Sequence, residues 1–357
     1  MIRRINFSLI FVFLGFAFAV HAVELNENHP QEYVVVKGDT LWDISGKFLK
    51  YPWHWPEIWS VNPQIENPHL IYPGDRIWLA DCDGKPCLKL ARGSRNGKLS
   101  PQMREIELDK AITTIPLSAI GPFLSRPRVV GEEVLDTAPY IVAGPEERLL
   151  LGAGDIAYVR GIEAKDSKHY NIFREGSVYK DPITSEVLGF EAIYLADARV
   201  KKMGDPATVD LRTTTREVMI GDRLLEVDEA NFELNFIPRQ PTHEVDGIIL
   251  SVFDGVSQVG QYQVVVLNRG TREQLEVGHV VSIWQTGDTV RDTVLSGVEE
   301  QDYFNLKNRD TKHEMVTLPD EAAGIAMIFK TYEKVSYALV MKATRAIHVG
   351  DKISDIE

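Results

Sequence analysis

The chain has 357 residues, 44% of them apolar and 9% aromatic, and a formal charge of −13 at pH 7. That length accommodates two or three domains, each able to bury a core. The acidic balance excludes nucleic acid and anionic membrane surfaces as natural partners and leaves neutral glycans and basic protein faces open.

The amino terminus carries Arg3 and Arg4, then an uncharged run from Phe7 to Val20, then Val20-His21-Ala22 ahead of Val23 and Glu24. This is the pattern of a secretory signal peptide, residues 1–22. A permanent membrane helix is the competing reading, but the run is shorter than the roughly 20 residues that cross a bilayer. Loss of Arg3 and Arg4 would leave the mature chain more acidic still.

Five of the six tryptophans (Trp42, Trp53, Trp55, Trp59 and Trp78) then fall between Tyr33 and Leu79. Tyr33 to Val36 predicts a short strand that ends at Lys37-Gly38, where glycine permits a sharp turn. A helix follows, capped by Asp39 or Thr40, with Leu41, Ile44, Ser45 and Phe48 on one face. Pro56 suits the first turn of a second helix, which must stop before Asn62-Pro63. Pro73-Gly74-Asp75 turns the chain into a last strand, Arg76 to Leu79. The only cysteines, Cys82 and Cys87, read as a disulfide-closed turn in an exported protein, worth roughly 2 kcal/mol on the loop model. Redox or metal chemistry would want Cys-x-x-Cys or further ligands, which the sequence does not supply near them.

The runs Lys37-Gly38-Asp39-Thr40-Leu41-Trp42-Asp43-Ile44, Asn62-Pro63 and Leu70-Ile71-Tyr72-Pro73-Gly74-Asp75-Arg76-Ile77 resemble a LysM domain, the small module that binds peptidoglycan and chitin. Tyr51-Pro52-Trp53-His54-Trp55 makes the helix connection longer and more aromatic than usual. The resemblance implies a βααβ fold over residues 33–80 and a groove for N-acetylglucosamine-containing glycan strands. Its walls would be Gly38, Asp39, Thr40 and Leu41 on one side, and Asn62, Ile65, Leu70, Ile71 and Pro73 on the other. The chemistry suits such a ligand: uncharged acetamides need backbone donors and acceptors, and sugar rings need flat apolar walls. A domain so short also needs Leu41, Trp42, Ile44, Ile58, Leu70 and Ile77 for its core, and Asp39 or Thr40 as a cap. Trp42 and Ile77 fit the core better; Asp39, Thr40 and the Ile65–Ile71 loop fit the groove better.

Residues 81–127 read as a linker with the disulfide turn, basic through Lys89, Arg92, Arg95, Lys98 and Arg104, either a solvated tether or a patch that docks on the acidic body. Beyond Arg128 short β-prone runs dominate: Tyr140–Ala143, Ile156–Val159, Phe190–Leu195, Gly247–Val252, Tyr262–Leu267, Val280–Trp284, Gly324–Phe329 and Tyr337–Met341. A repeated stretch punctuates them. Thr215 to Leu224 and Thr344 to Ile353 match closely, Thr271 to Val280 adds one residue, and Arg148 to Ile156 is a weaker copy. Duplicated supersecondary units follow, with each Gly-Asp pair a tight turn rather than a metal loop. Two similar halves are expected, residues 128–238 and 245–357, parted near Pro238-Arg239-Gln240-Pro241 and each of sandwich or barrel size. The fold class is thus α+β: a small βααβ module, a linker and a β-rich region.

Together with Pro122-Phe123-Leu124-Ser125-Arg126-Pro127-Arg128, Tyr140 to Gly144 and Ile156 to Gly161, this architecture is similar to that of LysM proteins associated with type IV pilus secretins. That likeness implies a periplasmic anchor that grips peptidoglycan and meets an outer-membrane secretin or another envelope ring protein. The carboxy-terminal region is also similar to the β domain of a flagellar accessory protein. A cell-wall hydrolase is the rival reading. Both cysteines lie in one tight loop, the nine histidines are scattered without a His-x-x-x-His pair, and no penicillin-binding motif set is complete. Acid pairs such as Glu132-Glu133 and Glu299-Glu300 read as solvated surface. No enzyme, cofactor or metal is expected.

Overall fold

The computed structural model describes residues 23–59, 71–92, 112–125, 128–163, 168–227, 236–253, 258–292 and 315–356. The signal-peptide expectation for residues 1–22, the groove positions Asn62, Ile65 and Leu70, and Arg95, Lys98 and Arg104 lie outside them. Among the described residues no helix is long and apolar enough to cross a membrane.

The amino-terminal module begins with β1 (Glu32–Val34), which pairs antiparallel with β2 (Arg76–Cys82) in the register Tyr33 opposite Ile77. Helix α1 (Leu41–Phe48) buries Leu41, Trp42, Ile44, Ser45 and Phe48. Its cap is Thr40, whose Oγ1 accepts from the Asp43 amide at 3.1 Å while its hydroxyl donates to Asp43 Oδ2 at 2.7 Å. A 3-10 turn at Pro52–His54 leads into α2 (Trp55–Trp59).

The stretch after Leu79 departs from the expected connector. Strand β3 (Lys85–Ala91) pairs with β2 along its whole length and completes a three-stranded sheet. Its outward Lys85 and Lys89 hide the signal, because only the alternate Leu88 and Leu90 face the module's core. Asp83 and Gly84 form the two-residue turn, both with positive φ (+56° and +80°), the hand that matches strand twist. The Cys82–Cys87 disulfide closes this hairpin, with Cα atoms 5.9 Å apart.

After helix α3 (Leu117–Ser125) the chain forms β4 (Arg128–Val130), α4 (Glu132–Thr137), β5 (Tyr140–Ala143), β6 (Leu150–Leu151), β7 (Ile156–Arg160) and β8 (His169–Lys180). Next come β9 (Val187–Lys202), β10 (Ala207–Thr214), β11 (Val218–Met219) and β12 (Arg223–Glu226). Strands β10-β7-β5-β12-β8-β9 are neighbours in that order, and β9 also pairs with β10, so the six close into a barrel, with β4 added alongside β9.

The rest follows the same plan: β13 (Asp246–Val252), β14 (Gln258–Val259), β15 (Val264–Leu267), β16 (Val280–Gln285), β17 (Thr289–Arg291), β18 (Met315–Thr317), β19 (Glu321–Thr331), β20 (Ser336–Ala343), β21 (Ile347–His348) and β22 (Lys352–Asp355). Here β13-β15-β20-β19-β16-β22 form a closed barrel. Matching β5 to β13, β7 to β15, β8 to β16, β9 to β19, β10 to β20 and β12 to β22 reproduces the first ring's order. The β-rich region is therefore a pair of barrels of one topology, with the β17–β18 hairpin inserted in the second. Residues 238–242, expected to part the halves, are held against the second barrel: Arg239 donates its amide to Gly278 O, and its carbonyl accepts from Val280 N, both at 3.0 Å.

Each barrel has an apolar interior, built on Ile141, Val159 and Leu195 in one and Ile249, Val265 and Ile283 in the other. A further core lies outside them. Val264, Val266, Tyr337, Leu339 and Met341 face out of the second barrel and pack with Trp42 and Trp53 of the amino-terminal module, Ile120 and Leu124 of α3, and Tyr179 and Leu188 of the first barrel. This explains the unbroken apolar runs of β15 and β20, since both of their faces are covered.

Candidate functional site

The loop from Val35 to Thr40 is built around Asp39. Its Oδ2 accepts from the Val36 amide and from the Tyr33 hydroxyl, each at 2.9 Å, and the Asp39 amide donates to Val36 O. Burial, reinforced by the Asp39 carboxylate, pushes the Tyr33 phenol up to about 12, so it stays a donor at physiological pH. Gly38 stands at φ +99° with open space around its Cα, a conformation that a side chain would strain.

Of the remaining predicted positions, Thr40 is buried and committed to the helix cap, and Leu41 and Ile71 are core residues. Pro73 is half-buried in the turn from Tyr72 to Asp75, where Asp75 Oδ2 accepts from the Tyr72 amide at 3.0 Å. What Thr40, Leu41 and Ile71 can offer a ligand is therefore backbone. The structure brings these two walls close. Ile112, Thr113 and Thr114 lie between them, bonded to Ile71 on one side and to Leu41 and Trp42 on the other, so the walls stand two strand spacings apart, roughly 10 Å.

The tryptophans do not line this groove as flat exposed walls. Trp42, Trp53, Trp55 and Trp59 are at most 5% exposed and serve as core. Trp78, next to the fully buried Ile77 on β2, is the half-exposed one. It borders an open hollow of about 500 Å³ with His29, Gln31, Glu32 and Leu79. Strand alternation, Ile77 inward and Trp78 outward, was the sequence signal for this.

Asp43 was not a predicted site residue, yet its Oδ1 accepts from the Tyr262 hydroxyl at 2.7 Å and so ties α1 to the second barrel. Burial and that bond push the Tyr262 phenol well up. No local pattern announces a pair so far apart in sequence. Among the described residues no three His, Cys, Asp or Glu side chains gather as a metal site.

A strand, a capped helix, a second short helix and a return strand, with glycine turns at both ends, make up this small module. Residues 33–80 match the LysM domain family, which binds peptidoglycan or related carbohydrate. Over 62 residues, 15% of its length, the chain is 39% identical to the uncharacterized protein YqbP of Bacillus subtilis (strain 168). That stretch covers 28% of the relative, so the chain spans less than a third of the length of the protein it matches.

Proposed function

We propose that the protein is a non-catalytic periplasmic anchor, exported through its amino-terminal segment, that holds peptidoglycan with its LysM module and an envelope-spanning ring with its barrels. The ring we name is the type IV pilus secretin. The observation that carries the first half is the LysM module itself, whose two walls engage a partner through backbone amides and carbonyls, here those of Ile112–Thr114, and such groups suit N-acetylated sugars. The second half rests on the docking of that module against a pair of barrels, which would transmit a wall contact to whatever the barrels bind. Gly38, Asp39, Thr40, Leu41, Ile71 and Pro73, with Asn62, Ile65 and Leu70, are the proposed glycan-facing positions.

The test is sedimentation of the mature full-length protein with purified sacculi. Pelleting that N-acetylglucosamine oligomers reverse supports the anchor. Release of soluble muropeptides would instead identify a hydrolase. Recovery of a flagellar ring rather than a secretin with the tagged protein would reassign the partner.

A further inference from the structure

An extended piece of the chain's own backbone occupies the groove just described. The Ile112 amide donates to Ile71 O at 2.8 Å, the Leu41 amide to Thr113 O at 2.9 Å and the Trp42 amide to Thr114 O at 3.2 Å. Thr40 and Thr113 pair across a parallel β-bridge. Ile112 is 6% exposed, Thr114 1% and Ile115 0%, and the Thr113 hydroxyl donates to Ile115 O at 2.6 Å, which sets the bend at the end of the segment.

The partners of this segment are telling. The first amides of a helix have no intrahelical acceptor and must be satisfied from outside. In α1 the Asp43 amide is taken by the Thr40 side chain, while those of Leu41 and Trp42 are taken by Thr113 and Thr114. These two donors and the Ile71 acceptor are the backbone groups an acetamide would need. We propose that Ile112–Thr114 is an internal strap that competes with glycan for the LysM groove, so that a sugar chain binds only when the strap leaves. The proposal rests on the reading of this groove as the glycan site.

Competition for the same amides makes the two events mutually exclusive, and the apparent glycan affinity is reduced by the fraction of molecules with the strap out. The strap is also tied at its far end. Ile115, Ile120 and Leu124 sit in the core shared with the second barrel, and Lys330 Nζ donates to Leu124 O at 3.0 Å. Displacement of the strap therefore pulls on a segment that the barrel holds, which links glycan access to the state of the barrel.

The test uses the mature full-length protein, its Ile112→Pro variant, which lacks the amide bonded to Ile71, and a Thr40→Cys/Thr113→Cys pair oxidised across the bridge, a separation a disulfide can span. Thr40→Cys alone is the control. Hydrogen exchange at the Leu41 and Trp42 amides is read beside binding of sacculi and of an N-acetylglucosamine tetramer. The expected result is exchange at least about tenfold faster and binding at least about threefold tighter in Ile112→Pro, with no binding by the cross-linked pair. Faster exchange in Ile112→Pro with binding equal to a wild type that does bind overturns the strap but leaves the glycan reading intact. Wild-type binding by the cross-linked pair likewise overturns it and moves the sugar to another surface, such as the hollow beside Trp78. Freed amides with no binding by any variant remove the glycan reading and the strap with it. Should Ile112→Pro fail to melt cooperatively, the cross-linked pair against its control decides.

Discussion

At the scale of single residues one device recurs through the molecule. Gly74, Gly154, Gly221, Gly278 and Gly350 all stand at φ between +88° and +97°, where a side chain would be strained. In four cases the next residue is aspartate, whose carboxylate accepts the amide three positions back, from Tyr72, Gly152, Met219 and His348 at 2.6 to 3.0 Å. The repeats were legible because glycine and aspartate are the residues such a turn demands. The fifth turn substitutes His279, whose Nδ1 accepts from the Glu276 amide at 3.2 Å. An imidazole accepts there only when neutral. Burial, then the positive charge of Arg239, lowers its pKa from 6.5, against a smaller opposing effect of Glu276. The folded-state pKa is below the unfolded value, so this stabilisation is complete above pH 6.5 and drains away as the pH falls toward the folded pKa. The unfolding free energy of the wild type, read from urea denaturation, should fall over that interval, while that of His279→Asp, which restores an acceptor that needs no deprotonation there, should stay level. Equal slopes for the two proteins would remove the imidazole as the cause. A second comparison uses the paired turns. Asp351→Ala should cost about 1–3 kcal/mol through the orphaned His348 amide. Asp222→Ala should cost more, because Arg174 Nε and Nη2, both at 2.8 Å from that carboxylate, lose their partner as well.

At the scale of elements, legibility followed how a strand meets its surroundings. Each of the eight apolar runs expected to be strands lies on or overlaps one, because strands covered on one or both faces concentrate Val, Ile, Leu and Tyr. Strand β8 escaped: His169-Tyr170-Asn171-Ile172-Phe173-Arg174-Glu175-Gly176 mixes buried and solvated residues without a clean alternation. Strand β3 escaped because its outward lysines look like a tether. Barrel closure was not legible at all, since it depends on the long-range pairing of Val209 with Ala157 and of Gly247 with Ile353, which no local pattern encodes. The candidate groove was legible in its glycines and in Thr40, through turn and cap chemistry, whereas the strap was not, because Ile112 to Thr114 bind through backbone and carry ordinary side chains. The same limit hid the link between α1 and the second barrel. Tyr262→Phe deletes the hydroxyl that donates to Asp43 and should lower stability by about 1 kcal/mol. Paired with Asp43→Asn in a double-mutant cycle, it should show a coupling of at least about 0.5 kcal/mol; additive losses would mean that the bond does not hold the LysM module to the barrel.

For the molecule as a whole, the shared core turns three modules into one mechanical unit. Trp53 touches it from the LysM side, α3 crosses it, and Tyr337 anchors it from the second barrel, so Trp53→Ala should cost about 3–5 kcal/mol and lower one common melting transition instead of releasing a separately melting module. The barrels are fastened to each other beside that core. Asn268 Nδ2 donates to Asp181 Oδ2 at 2.8 Å, Asn268 Oδ1 accepts from the Ile248 amide at 2.6 Å, and Glu186 on the first barrel meets Arg272 at 2.8 Å and Lys334 at 2.7 Å on the second. Backbone amides of Thr184 and Ile183 together with Asn268 hold the Asp181 carboxyl down at about 2, and Arg272 with Lys334 holds Glu186 at about 2. Both folded-state values lie below the ordinary 3.8 and 4.5, so the contribution of this seam is intact above pH 4.5 and is lost as the pH falls toward about 2. Asn268→Asp reverses the logic. It keeps the acceptor for Ile248 but sets a second carboxylate against Asp181, and two buried like charges at hydrogen-bond distance cannot both ionise without a loss of roughly 3 kcal/mol. One carboxyl of that pair must then titrate above its ordinary value. Acidification should therefore narrow the gap between variant and wild type while the wild type itself weakens. Denaturation at pH 7 and pH 4 checks this directly: a gap that stays constant would mean that Asp181 and residue 268 do not face each other across the seam.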